Sequence, residues 1–156
     1  MLKFSEIVGH EQIKDHLQTA VRENKPFHAY IFQGETGVGK ENMAKTFAAA
    51  LQCQNQGEKP CGECVSCHQF ESGNQPDVIW VQHEKANLIT VSEIREQVCN
   101  TMDIKPFASP YKIYIVPEAE KMNLWTEQLM VYFVYTYFCG GVYNENPYGK
   151  MKAAVA

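Results

Sequence analysis

The stretch Gly34-Glu35-Thr36-Gly37-Val38-Gly39-Lys40 constrains this chain more than any other. It follows a short apolar run of β type, Ala29-Tyr30-Ile31-Phe32, and leads into an apolar helical stretch from Asn42 to Leu51. A strand, a Gly-x-x-x-x-Gly-Lys loop and a helix, in that order, form the setting in which such a loop cradles phosphate. The glycines let backbone N–H groups turn inward around an anion, and the helix N-terminus adds a favourable dipole. Lys40 reaches the β- and γ-phosphates. Gly34, Glu35, Thr36, Gly37, Val38, Gly39, Lys40 and Glu41 are therefore the candidate site for ATP or ADP. The pattern departs at Glu41, which stands where a Ser or Thr hydroxyl would hold Mg²⁺.

The rest of the chain alternates in the same way. Ile13, Leu17, Ala20 and Val21 share one face of a helix over Glu11 to Val21, and Asn24-Lys25-Pro26 ends it. Asp77 to Val81 reads as a second buried strand. Thr90 and Glu93 have capping-box spacing, which predicts a helix from there to about Met102. Lys112 to Val116 is a third β-type run. Strands alternating with helices predict a parallel sheet of α/β type, and 156 residues suit one domain.

The third run ends in Pro117-Glu118. Nucleotide-hydrolysing sheets of this kind hold Mg²⁺ with a carboxylate at such a strand end. Pro117 offers neither a carboxylate nor an N–H, so a second metal contact is missing. Glu118 sits where a water-orienting glutamate would act. Without the metal a water-orienting glutamate has little use, so Glu118, like Glu120, reads rather as a solvated charge at a strand end.

Four cysteines, Cys53, Cys61, Cys64 and Cys67, fall in a polar, turn-rich insert over residues 53–76. Four such thiolates suffice for a tetrahedral Zn²⁺ site, and a closed shell of sulfur makes that metal structural rather than catalytic. His68 adjoins Cys67 and is expected at the surface, while Cys99 and Cys139 are expected as core thiols.

The net charge of −4 gives no global basic field, so DNA contact would come through a local patch or a partner. The start Met1-Leu2-Lys3-Phe4-Ser5-Glu6 has no secretory pattern. The longest apolar run, Leu129 to Gly141, falls short of the roughly 20 residues of a membrane helix. A cytoplasmic protein without membrane contact is expected.

Together these features resemble the clamp-loader branch of the AAA+ family of P-loop NTPases. The resemblance rests on Phe4 to His10, Phe27-His28-Ala29-Tyr30 before the loop, the four-cysteine insert, Asn74 to Val78, Ile89 to Arg95 and Lys112 to Val116. It implies a three-layer AAA+ nucleotide-binding domain over residues 1–123, truncated relative to the family, with Val8 and Gly9 near the adenine. Glu41 makes the chain look more like the delta-prime type than the gamma/tau motor type. The partners so implied are the gamma/tau and delta subunits and, through them, the sliding clamp and primed DNA. An active gamma/tau-type ATPase and a zinc-stabilised interaction module with a vestigial loop are the alternatives. After Asn123 the family's continuing helix, sensor strand, arginine-finger motif, lid and collar are not legible. Residues 124–156 read as a divergent aromatic tail, as a frameshift, a misassembled gene or a spliced-on segment would give. Such a break predicts an exposed sheet edge, with Val131 to Phe138 as a candidate for filling one strand position.

Overall fold

The computed structural model describes residues 2–130 and, beyond them, the backbone of the strand Lys150–Val155. Four strands, β1 (Ala29–Ile31), β2 (Val78–Trp80), β3 (Tyr111–Val116) and β4 (Lys150–Val155), form a parallel sheet in the order β1-β4-β3-β2. The expected α/β class with a parallel sheet is what is found. Strand β3 is central. It pairs with β4 from Tyr111↔Lys150 to Val116↔Val155 and with β2 from Val78↔Ile113 to Trp80↔Ile115.

The burial of β3 explains its sequence. A parallel strand covered on both faces reads as a nearly continuous apolar run, and all six residues of β3 are buried, Lys112 among them. Tyr111, Ile113 and Ile115 face a core built with Leu17, Met43, Phe47 and Leu51 from helices α1 (Glu11–Arg22) and α2 (Lys40–Gln52). Tyr114 and Val116 face a second core with Val81, Ile94, Val98 and Met130. Two helical layers thus sandwich the sheet.

Helix α3 (Val65–Glu71) lies in the cysteine insert, and α4 (Val91–Ile94) follows β2. The helix expected to run to about Met102 is α-helical for one turn and then continues as a π-helix, Arg95–Cys99. Its start is as predicted: the Thr90 hydroxyl accepts the Glu93 N–H at 3.3 Å, and the Glu93 carboxylate accepts the Thr90 N–H at 2.7 Å. Thr90→Ala is expected to cost about 1 kcal/mol, read as a shift of the urea midpoint. Backbone N–H groups of Thr90 and Glu84 hold the Glu93 carboxyl below the usual carboxylate range. Its stabilising effect is therefore present above the ordinary Glu value and lost as pH falls through the folded one. Glu93→Gln is expected to flatten that acid limb of the stability curve.

The crossover from the π-helix to β3 is tied down by charge. The buried Asp77 carboxylate accepts N–H groups of Phe107, Ala108 and Ser109 at 2.6, 2.8 and 3.1 Å. The buried Lys112 ammonium donates to the carbonyls of Thr101 and Ile104.

One expectation about the end of the chain changes, and a strand is found that the sequence does not single out. A helix does follow Asn123, over 124–130, with the Asn123 side chain accepting the Thr126 N–H at 2.9 Å. Leu129 and Met130 pack it on the second core, and Thr126 donates to the Ile89 carbonyl. The strand position between β1 and β3 is taken by Lys150–Val155. Val131 to Phe138, and Cys139, lie outside the described residues. No helix among the described residues is long and apolar enough to cross a membrane.

Candidate nucleotide site and metal centre

Because all strands are parallel, their C-terminal ends and the loops leaving them gather at one edge of the sheet, where ligands of open α/β folds bind. The glycine loop leaves β1, Pro117-Glu118 leaves β3 and His83 lies just past β2. Gly37 and Gly39 have φ of 84° and 92°, a region that costs a side chain strain, so glycine is required at both turns. Gly39 is also the residue from which α2 starts, which puts Lys40 and Glu41 in its first turn, earlier than the Asn42 start expected from sequence.

Loop and strand end face each other across a cleft of about 390 Å³, bordered by Thr36, Gly37, Lys40, Glu41, Pro117 and Glu118. Sequence-predicted residues from two distant segments therefore meet. Lys40 folds back over the loop, its ammonium donating to the carbonyls of Gly34 at 2.7 Å and Glu35 at 3.3 Å. A phosphate entering the cleft would take over that ammonium.

Glu41 and Glu118 are both engaged elsewhere. The Glu41 carboxylate pairs with Lys45 one turn along α2 at 2.5 Å, and the Lys45 ammonium sits 5.1 Å above the Trp80 ring. Glu118 is in the left-handed region at φ 53°. Its carboxylate accepts from Lys121 at 2.7 Å, the main reason its carboxyl lies below the usual range, and lies 3.3 Å from His83 Nε2. His83 is a site residue that the sequence does not single out. Its Nδ1 bonds the Lys85 carbonyl at 2.7 Å, which orients the ring. Its one sequence signal is a polar, ionisable side chain just past an apolar strand run.

A second cavity of about 320 Å³ shares Gly39 and Lys40 with the first and is lined by His10, Leu17, Tyr30, Val38 and Met43. Val8 is 94% exposed and, with Gly9, precedes the αL residue His10 from which α1 starts.

The four cysteine sulfurs lie within 4.8 Å of one another. Cys61 and Cys67 are 3.8 Å apart, and Cys53 and Cys64 are 4.0 Å apart. A tetrahedral Zn²⁺ with bonds of about 2.3 Å sets its sulfurs about 3.8 Å apart, so the spacing fits that ion. Cys53 arrives at the end of α2 and Cys64 caps α3, its sulfur accepting the Cys67 N–H at 3.4 Å. The Cys61 sulfur accepts N–H groups from Glu63 and Cys64, each at 3.4 Å. These N–H groups, that of Glu63 foremost, pull the Cys61 thiol down to about 6, whereas burial pushes Cys67 up. His68 is exposed and outside the cluster, and Cys99 is half-buried beside the second core.

The family model described as DNA polymerase III, delta subunit, matches residues 9–129. The chain is 36% identical over 123 residues to DNA polymerase III subunit tau of Bacillus subtilis, covering 78% of this chain and 21% of that protein. It is 35% identical over 121 residues to the tau/gamma subunit of Haemophilus influenzae, covering 77% and 17%. Protein STICHEL of Arabidopsis thaliana is 35% identical over 117 residues, covering 74% and 9%. The chain thus spans about a fifth or less of the length of these curated relatives. With its parallel sheet and its glycine loop, the chain belongs to the DNA polymerase III delta-subunit family of clamp-loader AAA+ proteins.

Proposed function

We propose that this chain is the nucleotide-binding, zinc-bearing module of a clamp-loader subunit of delta-prime type. It takes part, in the cytoplasm, in placing a sliding clamp on primed DNA during replication. Its partners are the gamma/tau and delta subunits, which bring it to the clamp and the DNA. The observation that carries this reading is a cleft that retains the phosphate-holding parts but not the hydrolytic ones. The loop, Lys40 and the start of α2 are in place. Glu41 is paired with Lys45, Pro117 replaces a carboxylate, and Glu118 is held by Lys121 and His83. Gly34 through Glu41 form the phosphate side of the nucleotide site, with Val8 and Gly9 toward the base, and ATP or ADP is the ligand. Catalysis by Glu118 has no support in this geometry.

Cys53, Cys61, Cys64 and Cys67 hold Zn²⁺ as a structural ion. Its bonds take the place of a core in a segment too polar to build one.

The names of the relatives favour a second reading, an active gamma/tau-type ATPase. One experiment separates the two: the chain is mixed with gamma/tau and delta subunits, the complexes are sized by gel filtration, and ATP turnover of the chain alone is measured. The delta-prime reading expects co-elution and no turnover by the chain. Turnover that Lys40→Ala abolishes would establish the motor reading instead. One zinc per chain without nucleotide binding would leave a zinc-stabilised interaction module.

A further inference from the structure

The fold family implies Mg²⁺ in this cleft, and the residues present do not fit it. Mg²⁺ asks for near-octahedral oxygen ligands, some from protein and some from phosphate. Of the two positions that would supply a side-chain oxygen, Pro117 has none to give, and the Glu41 carboxylate is paired through one oxygen with Lys45 at 2.5 Å. Glu118, next to Pro117, is committed to Lys121 and His83. Each pairing spends one oxygen of its carboxylate and offsets its charge, which weakens what Glu41 and Glu118 can offer a metal.

The charge along the cleft is also uneven. Glu41, Glu118 and Glu120 border it, and Lys40 is its one bordering cation among the described residues. The Lys40 ammonium is folded toward the beginning of the loop, against Gly34 and Glu35. Anion-binding groups are thus concentrated at the loop and Lys40, while Glu41 in the first turn of α2 and Glu118 and Glu120 past the end of β3 carry carboxylates. Mg²⁺ normally offsets the charge that a terminal phosphate adds to such a wall. Here the two positions that would hold it, Glu41 and Pro117, carry no hydroxyl and no carboxylate free of an ammonium.

Resting on the nucleotide reading above, we propose that the cleft takes a nucleoside diphosphate without Mg²⁺ and disfavours the triphosphate. The subunit would then keep one nucleotide state irrespective of the magnesium that hydrolysing neighbours need.

The test is equilibrium binding of fluorescently labelled ADP and ATP to the whole, zinc-loaded chain. Buffers are freed of divalent ions with a resin, because a soluble chelator would strip the cysteine site. Added Mg²⁺ is expected to leave ADP affinity unchanged or to weaken it by about twofold, and metal-free ATP is expected to bind about tenfold more weakly than ADP. Tightening of either nucleotide by about tenfold on adding Mg²⁺ would overturn the inference and leave the nucleotide site intact. No binding in any buffer, with zinc retained, would remove the nucleotide reading and this inference with it. The double variant Glu41→Ser, Pro117→Asp is expected to gain Mg²⁺-dependent tightening of ATP. A folded double variant indifferent to Mg²⁺ would contradict the roles given to those two positions.

Discussion

Cys67→Ser is expected to abolish zinc binding and to destabilise the chain by at least about 4 kcal/mol, because a structural zinc centre contributes its binding energy to folding. Cys67 is 1% exposed and sits on α3, so the substitution puts a poor zinc-binding hydroxyl at a buried position and leaves three sulfurs for the ion. The effect should reach α2, since Cys53 is the C-cap of that helix and α2 begins at the phosphate loop. Zinc released to a colorimetric indicator and the urea midpoint read the two consequences. His68→Ala removes the neighbouring exposed imidazole and is expected to change neither. An undiminished zinc content in Cys67→Ser would refute the four-sulfur site.

Lys40→Ala is expected to weaken nucleotide binding by about 10- to 100-fold, the equivalent of about 1.5–3 kcal/mol for charge-assisted bonds to phosphate. Stability should change by less than about 0.5 kcal/mol. The partners of Lys40 in this structure are two carbonyls of an exposed loop, which water can satisfy when the ammonium is gone. Fluorescence titration beside the urea midpoint separates the two effects. Unchanged affinity in a stable variant would place the phosphate elsewhere.

The parts legible in the sequence are those fixed by local chemistry. Thr90 and Glu93 announce their capping box, Lys112 to Val116 announce a strand, and the glycine loop announces its own turns. The clustering of the cysteines is likewise legible, because three of the four thiols lie within seven residues and their turns are short-range. Pairing between distant segments is what sequence does not carry. Nothing in His83 predicts that it meets Glu118, since their contact depends on β2 and β3 lying side by side. The engagement of Glu41 by Lys45 is a different case, because the two are one turn apart on α2 and helix spacing alone brings them together. It stays hidden only while the helix is taken to start at Asn42, which leaves Glu41 outside its first turn. The place of Lys150–Val155 between β1 and β3 is hidden for another reason. A short run with two lysines carries little strand signal, and its position is set by the sheet it joins.

The most direct test of the account is a nucleotide titration of the isotopically labelled, zinc-loaded chain, followed residue by residue through backbone amide resonances. The account predicts saturable shifts concentrated in Gly34 to Asn42 and around Glu118, with Cys61 to Cys67 unmoved. Saturable shifts confined to another surface, or none at any nucleotide concentration while the fold and the zinc are intact, would contradict it.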